Sequence, residues 1–173
     1  GGLKAGQLGL VVGTTGRGKS HMVTHFGFWG AAQGYTVLHI STEMSALDCS
    51  TRYDAKLAGV SSTQVEKHEN TAGELQRIKD KIDRVRGRLS NRLRIQATPL
   101  RRATIDSLKN AVDDMAAEGR PVDLLIVDCG DHLQPTVSYR DYRLDQSSIY
   151  WDLKSLAGEL EVPIWATTQA PKE

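Results

Sequence analysis

Short apolar runs alternate along the chain with longer segments in which apolar residues recur every three or four positions. The short runs predict strands, at Leu8 to Val12, Thr36 to Ser41, Leu93 to Ala97, Val122 to Asp128 and Val162 to Thr168. The longer segments predict amphipathic helices. Strands that alternate with helices are typical of an α/β protein with a parallel sheet covered on both faces. The unbroken apolar run Leu124 to Val127 predicts a strand at the centre of that sheet.

Helical patterns occupy four of the intervening segments. They run from Ser20 to Gln33, from Ala72 to Leu93, through Ile105, Leu108, Val112 and Met115 to a stop at Gly119, and from about Ser147 to Glu161. The tetrapeptide Ser45 to Asp48 has the S-x-x-D form of a helix cap, so a further helix is expected to begin there. The segment from Gln134 to Asp145 has neither pattern and predicts a polar surface loop.

Composition narrows the class of protein without naming it. The 173 residues suit one domain, and 25% charged with 39% hydrophobic residues is ordinary for a globular protein. A formal net charge of +1 gives no global signature of nucleic-acid binding, so any basic surface must be local. Cys49 and Cys129 lack metal-ligand spacing and suit reduced thiols. Without an apolar run long enough for a membrane span, the expected location is cytoplasmic and no membrane partner is expected.

The sequence Gly13-Thr-Thr-Gly-Arg-Gly-Lys-Ser20 has the form G-x-x-x-x-G-K-S of a phosphate-binding loop. It joins a predicted strand to a predicted helix, which is the context such a loop requires. We expect Gly13, Gly16 and Gly18 to adopt positive φ, so that backbone N–H groups converge on a polyphosphate beside the positive end of the helix. The alternative is a glycine-rich turn that binds no ligand.

This loop defines the first set of candidate site residues. Lys19 would reach the β- and γ-phosphates, and the hydroxyl of Ser20 would ligate Mg²⁺. The candidate nucleotide-binding residues are Gly13, Thr14, Thr15, Gly16, Arg17, Gly18, Lys19, Ser20 and His21.

Acidic residues follow two of the predicted strands. Asp128 ends the most apolar strand and is a candidate to hold the metal with Ser20. Asp131, three residues later, is either a supporting acid or simply a turn-forming residue. Glu43 follows the strand that ends at Ser41 and is a candidate to orient and deprotonate an attacking water. Gln169 ends the last predicted strand, where its amide could sense a γ-phosphate or be merely a polar residue.

Taken together, these segments resemble the RecA-like ATPase core of DnaB-type replicative helicases. The resemblance rests on the loop Gly13 to Ser20, on Ser41 to Ser45 with Arg52 nine residues after Glu43, and on Leu125 to Asp128 together with Leu153 to Gln169. It implies a RecA-like P-loop fold, ATP and Mg²⁺ as cofactors, and catalytic roles for Glu43, Lys19 and Gln169. It also implies that the strand ending in Gln169 lies between the strand that precedes Gly13 and the strand that ends in Asp128.

The resemblance further implies partners that the chain alone does not contain. Family members act as hexameric rings on single-stranded DNA, with an arginine finger supplied in trans by a neighbour, so a homo-oligomer is expected. Residues 1–173 would form a single ATPase domain that is a fragment or core of a longer chain. Tyr139, Arg140 and Arg143 lie where the family places its first DNA-facing loop, and a polar surface loop explains them almost as well.

Two other functions stay open at this point. Another RecA-like ATPase, either a recombinase or a KaiC-like regulator, would share the loop and the sheet. A nucleotide-gated assembly module with little turnover would share the loop alone. No residue clearly reads the base, although Arg52 and Tyr53 are possible stacking partners.

Overall fold

The computed structural model describes residues 2–61, 63, 65, 72–89, 91–99 and 102–170. Within this part of the chain, five strands form one sheet: β1 (Leu8–Gly13), β2 (Val37–Ser41), β3 (Leu93–Ala97), β4 (Leu124–Asp128) and β5 (Ile164–Gln169). Five α-helices accompany them: α1 (Lys19–Ala32), α2 (Ala46–Ala58), α3 (Ala72–Leu89), α4 (Ile105–Ala117) and α5 (Tyr142–Leu160). A short 3₁₀ helix, Gly130–His132, follows β4.

The sheet has the order β1-β5-β4-β2-β3, and every neighbouring pair of strands is parallel. This confirms the predicted α/β class, the central position of the strand ending in Asp128, and the placement of β5 between β1 and β4. Gly13 is in register with Gln169, and Ser41 is in register with Asp128. The carboxyl ends of four strands therefore meet at one edge, where open α/β sheets bind their ligands.

Helices cover both faces of the sheet because strand side chains alternate between the faces. On one face Val23 of α1 and Leu89 of α3 pack with Val37 and Ile126. The opposite face carries a larger core from α4, α5 and the intervening strand residues, including Leu38, Ile40, Leu108, Met115, Leu125, Val127, Leu153 and Ile164. All five residues of β2 are buried, as expected for a strand with a neighbour on each side and helices above and below.

Two helices have different ends from those predicted. The helix predicted over Ala72 to Leu93 ends at Leu89, because Leu93 begins β3 and pairs with Val37. The last helix begins at Tyr142 rather than at about Ser147, because the carboxylate of Asp141 accepts the N–H of Arg143 and caps it. In the described residues, every helix is too short or too polar to span a bilayer.

Candidate nucleotide site at the carboxyl edge of the sheet

The loop between β1 and α1 has the backbone of a phosphate-binding turn at two of its three glycines. Gly16 and Gly18 adopt φ of 79° and 83°, values that an L side chain rarely adopts. Gly13 does not, and the prediction of positive φ there was wrong, because Gly13 is the last residue of β1 and pairs with Gln169. The turn therefore starts one residue later than the motif suggested.

The amino end of α1 is open to an anion. Gly18 is the N-cap of this helix, so no side chain caps its first turn, and that turn contains no acidic residue. The unpaired N–H groups and the positive end of the helix dipole are therefore uncompensated by the protein itself. Such an end binds phosphate without further adaptation.

Positive side chains surround this helix end. The ammonium of Lys19 lies back across the loop and donates to the carbonyl oxygens of Gly13, at 2.7 Å, and Thr14, at 3.2 Å. Burial, together with the charges of Arg52 and Lys56 on α2, lowers the pKa of His21 in the first turn of α1. A cationic environment of this kind favours a polyphosphate over a neutral ligand.

Asp128 has a carboxylate that could hold a metal ion. It is buried at the end of β4, and its Oδ1 accepts the hydroxyl of Thr167 at 2.6 Å. Its Oδ2 is buried and has no hydrogen-bond partner, one of two such side-chain atoms in the described part of the chain. Buried polar atoms are normally paired, so an orphaned carboxylate oxygen indicates a site for a cation or its bound water. Asp128 and the Ser20 hydroxyl thus suit Mg²⁺, which prefers carboxylate, hydroxyl and water oxygens.

Glu43 and Gln169, predicted from separate strand ends, are in direct contact. The Nε2 of Gln169 donates to the Oε1 of Glu43 at 3.1 Å. The Glu43 side chain keeps 35% of its surface exposed and is therefore available to a water molecule. Ser45 caps α2 by accepting the N–H of Asp48, so the cap leaves Glu43 free, as the sequence had allowed. A hydrolytic base and a γ-phosphate sensor would thus be one connected unit.

Two residues that the sequence analysis missed, Thr42 and His132, lie beside Glu43. The Thr42 hydroxyl accepts the N–H of Cys129 at 2.9 Å and donates to the Cys129 carbonyl at 3.0 Å, which ties the ends of β2 and β4 together. With its one proton so used, this hydroxyl accepts Nδ1–H of His132 at 3.3 Å. The Nε2 of His132 then lies 3.6 Å from Oε1 of Glu43. Only the spacing after Asp128 could have pointed to His132, since no motif includes it.

Asp131 makes more contacts than a turn-forming residue. It lies in the 3₁₀ helix after β4, and its carboxylate accepts the N–H of Gln169 at 2.6 Å.

Tyr53 is buried, in contrast to its predicted role. It is 3% exposed and its hydroxyl lies 2.8 Å from Nδ1 of His39, so its ring is unavailable to stack on a base. The interpretation of Tyr53 as a base-stacking residue was wrong because α2 turns this side chain into the core. Arg52 remains half-exposed.

The candidate DNA contacts lie on the same side of the molecule. Tyr139 and Arg140 are exposed in the segment before α5, and Arg143 is exposed in the first turn of that helix. Of these three residues, Arg143 lines a groove of about 480 Å³. Its lining includes Asp131, His132, Tyr142, Arg143, Tyr150, Thr168 and Gln169. The structure thus joins the start of α5 to the Gln169 end of β5 without showing what binds there.

Comparisons with known proteins agree with this architecture. The chain aligns with the solved structure described as a DnaB-like replicative helicase and its interactions with primase, at a TM-score of 0.82 and 17% identity over 98% of this chain. It aligns with a second solved structure, described as an ATPase domain, at a TM-score of 0.83 and 17% identity, also over 98% of this chain. The chain spans 40% and 59% of those two proteins, and identities this low show the fold alone.

The family assignment rests on sequence. No curated protein sequence matches the chain. The model of the family described as the DnaB-like helicase C-terminal domain matches residues 1–173, the whole of the chain. The chain therefore belongs to the DnaB-like helicase C-terminal domain family.

Proposed function

We propose that this chain is the ATP-hydrolysing motor core of a ring-shaped, cytoplasmic DNA helicase, which couples Mg·ATP hydrolysis to movement along single-stranded DNA. One observation carries the proposal. Three features lie at a single sheet edge: an uncapped helix end behind a phosphate loop, a buried carboxylate with an orphaned oxygen, and a Glu43–Gln169 contact. A protein that only bound nucleotide would need the loop but not the other two features.

Each residue has a role that follows from its place. The N–H groups of the loop and the ammonium of Lys19 would hold the phosphates, and the Lys19 contacts with Gly13 and Thr14 would be exchanged for phosphate oxygens. Ser20 and Asp128 would hold the magnesium ion, which when bound neutralises charge on the β- and γ-phosphates. Glu43 would orient the attacking water and accept its proton.

Gln169 is suited to report the state of the nucleotide. Its amide touches Glu43, and its backbone is anchored both to β1, in register with Gly13, and to Asp131. A γ-phosphate that displaced Glu43 would therefore also displace the end of β5. Gln169 thus contributes to catalysis through its contact with Glu43 and links hydrolysis to movement elsewhere.

The remaining parts of the motor would come from assembly. An arginine finger supplied by a neighbouring subunit would complete the site, and such an arginine is worth about 10³ to 10⁵ in rate. Tyr139, Arg140 and Arg143 would line the channel of a hexameric ring, where stacking and phosphate contacts bind single strands without reading sequence.

The test is ATP hydrolysis by the full-length protein with and without single-stranded DNA, in the wild type and in Glu43→Gln. We expect hydrolysis in the wild type to rise with single-stranded DNA. We expect the variant to bind ATP with wild-type affinity and to lose hydrolysis by about 10²-fold or more, because the amide cannot accept the proton. Glu159→Gln, the same change at an exposed position in the last turn of α5, is the matched control and should leave both rates unchanged.

The outcomes separate this function from its rivals. Absence of any stimulation by single strands would overturn the helicase assignment. Strand pairing instead of unwinding on forked DNA would identify a recombinase, and autophosphorylation would identify a KaiC-like regulator. Equal, slow turnover in the wild type and in Glu43→Gln would identify an assembly module.

A further inference from the structure

The carboxylate of Asp131 accepts three hydrogen bonds from α5 and β5, and the thiol of the nearby Cys129 lies 3.5 Å from its Oδ2. Its Oδ1 accepts the hydroxyl of Tyr150 on α5, at 2.5 Å, and the hydroxyl of Thr168 on β5, at 2.9 Å. Its Oδ2 accepts the backbone N–H of Gln169 at 2.6 Å. Burial and the bond to this carboxylate raise the pKa of Tyr150, so its hydroxyl stays a donor at physiological pH. Hydrogen bonds to an ionised acceptor are about twice as strong as neutral ones.

The packing around Asp131 holds α5 against the 3₁₀ helix at more than one point. The side-chain amide of Gln146, one turn before Tyr150, donates to the carbonyl of Asp131 at 3.2 Å. Gly130 lies directly under the Tyr150 ring, and a Cβ at that position would lie 2.9 Å from the Tyr150 hydroxyl. The first half of α5 and the 3₁₀ helix must therefore move together or lose these contacts.

Asp131 also contacts Gln169, the candidate γ-phosphate sensor. The Gln169 N–H on Asp131 fixes the backbone of the residue whose side chain donates to Glu43. Asp131 is thus separated from the proposed catalytic base by one residue. A shift of its carboxylate would move the Gln169 amide relative to Glu43, and a displacement of about 1 Å at such a position costs about 10²-fold in rate.

The nucleic-acid end of the connection lies at the start of α5. Asp141 caps this helix at Arg143, and the carboxylate of Asp145, in the first turn, accepts the N–H of Tyr139 at 2.6 Å. The segment that carries the candidate DNA contacts is therefore tied to the same helix that carries Gln146 and Tyr150. Arg143, Asp131 and Gln169 all line the groove of about 480 Å³.

We propose that Asp131 is a positioning residue that couples single-stranded DNA bound at the start of α5 to the placement of Gln169 against Glu43. The proposal rests on the function proposed above and adds to it a residue that the family motifs do not include. Asp131 touches neither nucleotide nor DNA in this account. It acts by holding the end of β5 on a helix whose first turn faces the nucleic acid.

Asp131→Asn tests the coupling with little change of shape. Because Tyr150 and Thr168 share Oδ1, the amide oxygen can keep both of them, and the amide NH₂ then faces the N–H of Gln169. Because the amide NH₂ and the backbone N–H of Gln169 are both donors, they cannot form a hydrogen bond, and the bond that positions Gln169 is lost. In the full-length protein we expect the stimulation of ATP hydrolysis by single-stranded DNA to fall at least about tenfold, the factor that the loss of a bond to a charged acceptor corresponds to. The KM for ATP should stay within about twofold.

A second measurement does not depend on activity. Hydrogen–deuterium exchange of the Gln169 backbone amide, followed by NMR, should be faster in Asp131→Asn by about tenfold or more. Exchange at the same rate in variant and wild type would overturn the positioning role alone. A wild-type protein without DNA-stimulated hydrolysis would overturn the proposed function and the coupling with it.

Controls distinguish positioning from loss of fold. Asp114→Asn makes the same chemical change at an exposed position of α4 and should leave stimulation and exchange unchanged. Thr168→Val removes one donor from Asp131 and should reduce stimulation, whereas Thr168→Ser keeps the hydroxyl and should restore it. If Asp131→Asn does not fold, this pair decides the matter, and equal stimulation in Thr168→Val and Thr168→Ser would overturn the proposal.

Discussion

Acidification should destabilise this domain through one buried histidine. His39 lies in β2, fully buried, with its ring against Tyr53 and the Cys49 sulfur 3.8 Å from its nitrogens. Burial lowers its pKa from 6.5 to about 4; the charge of Asp128 opposes this shift and the charge of Arg52 adds to it. His39 is therefore neutral in the folded protein at pH values where the unfolded chain already binds a proton.

The sign and size of the effect follow from these two pKa values. Because the unfolded state binds more protons between pH 6.5 and pH 4, stability rises with pH across that window and is lost as the pH falls through it. At pH 7 both states are largely neutral. At pH 5 the unfolded histidine is about 97% protonated and the folded one about 10%, which costs about 2 kcal/mol of unfolding free energy. A typical domain has only about 5 to 15 kcal/mol in total, so a loss of this size is readily measured.

The assay is urea denaturation at pH 7, 6 and 5, on the wild type and on His39→Gln. Glutamine does not titrate and can still pair with the Tyr53 hydroxyl. The other titrating groups, His21 among them, are present in both proteins and cancel in the difference. We expect the wild type to lose about 2 kcal/mol more than the variant between pH 7 and pH 5. Equal losses in the two proteins would refute the reasoning, since they would show that His39 titrates normally in the fold.

Two further predictions concern residues packed beneath the site. Gly27→Ala should destabilise the domain by about 1 to 3 kcal/mol in urea denaturation. The reason is that its Cβ would lie 2.2 Å from the Tyr53 hydroxyl and 2.8 Å from a methyl of Ile126. A variant as stable as the wild type would contradict this. Thr167→Val should raise the magnesium concentration needed for half-maximal ATP hydrolysis, because it removes the donor that orients Asp128, and Thr167→Ser should restore it. Equal magnesium requirements in the two variants would show that Thr167 does not orient the metal site.

The sequence identified what depends on local chemistry. The loop Gly13 to Ser20 is readable because its residue types follow from the geometry of a phosphate, and α1 starts where that geometry requires. The position of Asp128 and Glu43 at one edge could be predicted because parallel strands bring their carboxyl ends together there, while their roles stay predictions. The position of Gln169 at the same edge could be predicted in the same way, once β5 was placed between β1 and β4.

What the sequence did not reveal depends on contacts between distant segments. Asp131 was ambiguous because the donors that reach it from α5 and β5 lie 19, 37 and 38 positions further along the chain. Tyr53 was misinterpreted because an aromatic residue near a nucleotide site suggests stacking, whereas the position of α2 over β2 buries it. The early start of α5 depended on Asp141, a single capping residue in a segment whose composition is otherwise typical of a loop.

The residues packed beneath Asp128 explain why its Oδ2 has no hydrogen-bond partner. His39 is neutral there, and burial keeps Cys49, whose pKa rises to about 12, and Tyr53 protonated and uncharged. None of these groups offers the second oxygen a hydrogen bond, and Thr167 satisfies only the first. Burying a polar atom without a partner costs about 1 to 3 kcal/mol, more for a charged one, and a cation at the loop would recover that cost. A ligand that supplies the missing partner binds the folded state and stabilises it. Mg·ATP should therefore raise the free energy of unfolding of this domain more than ATP without metal does.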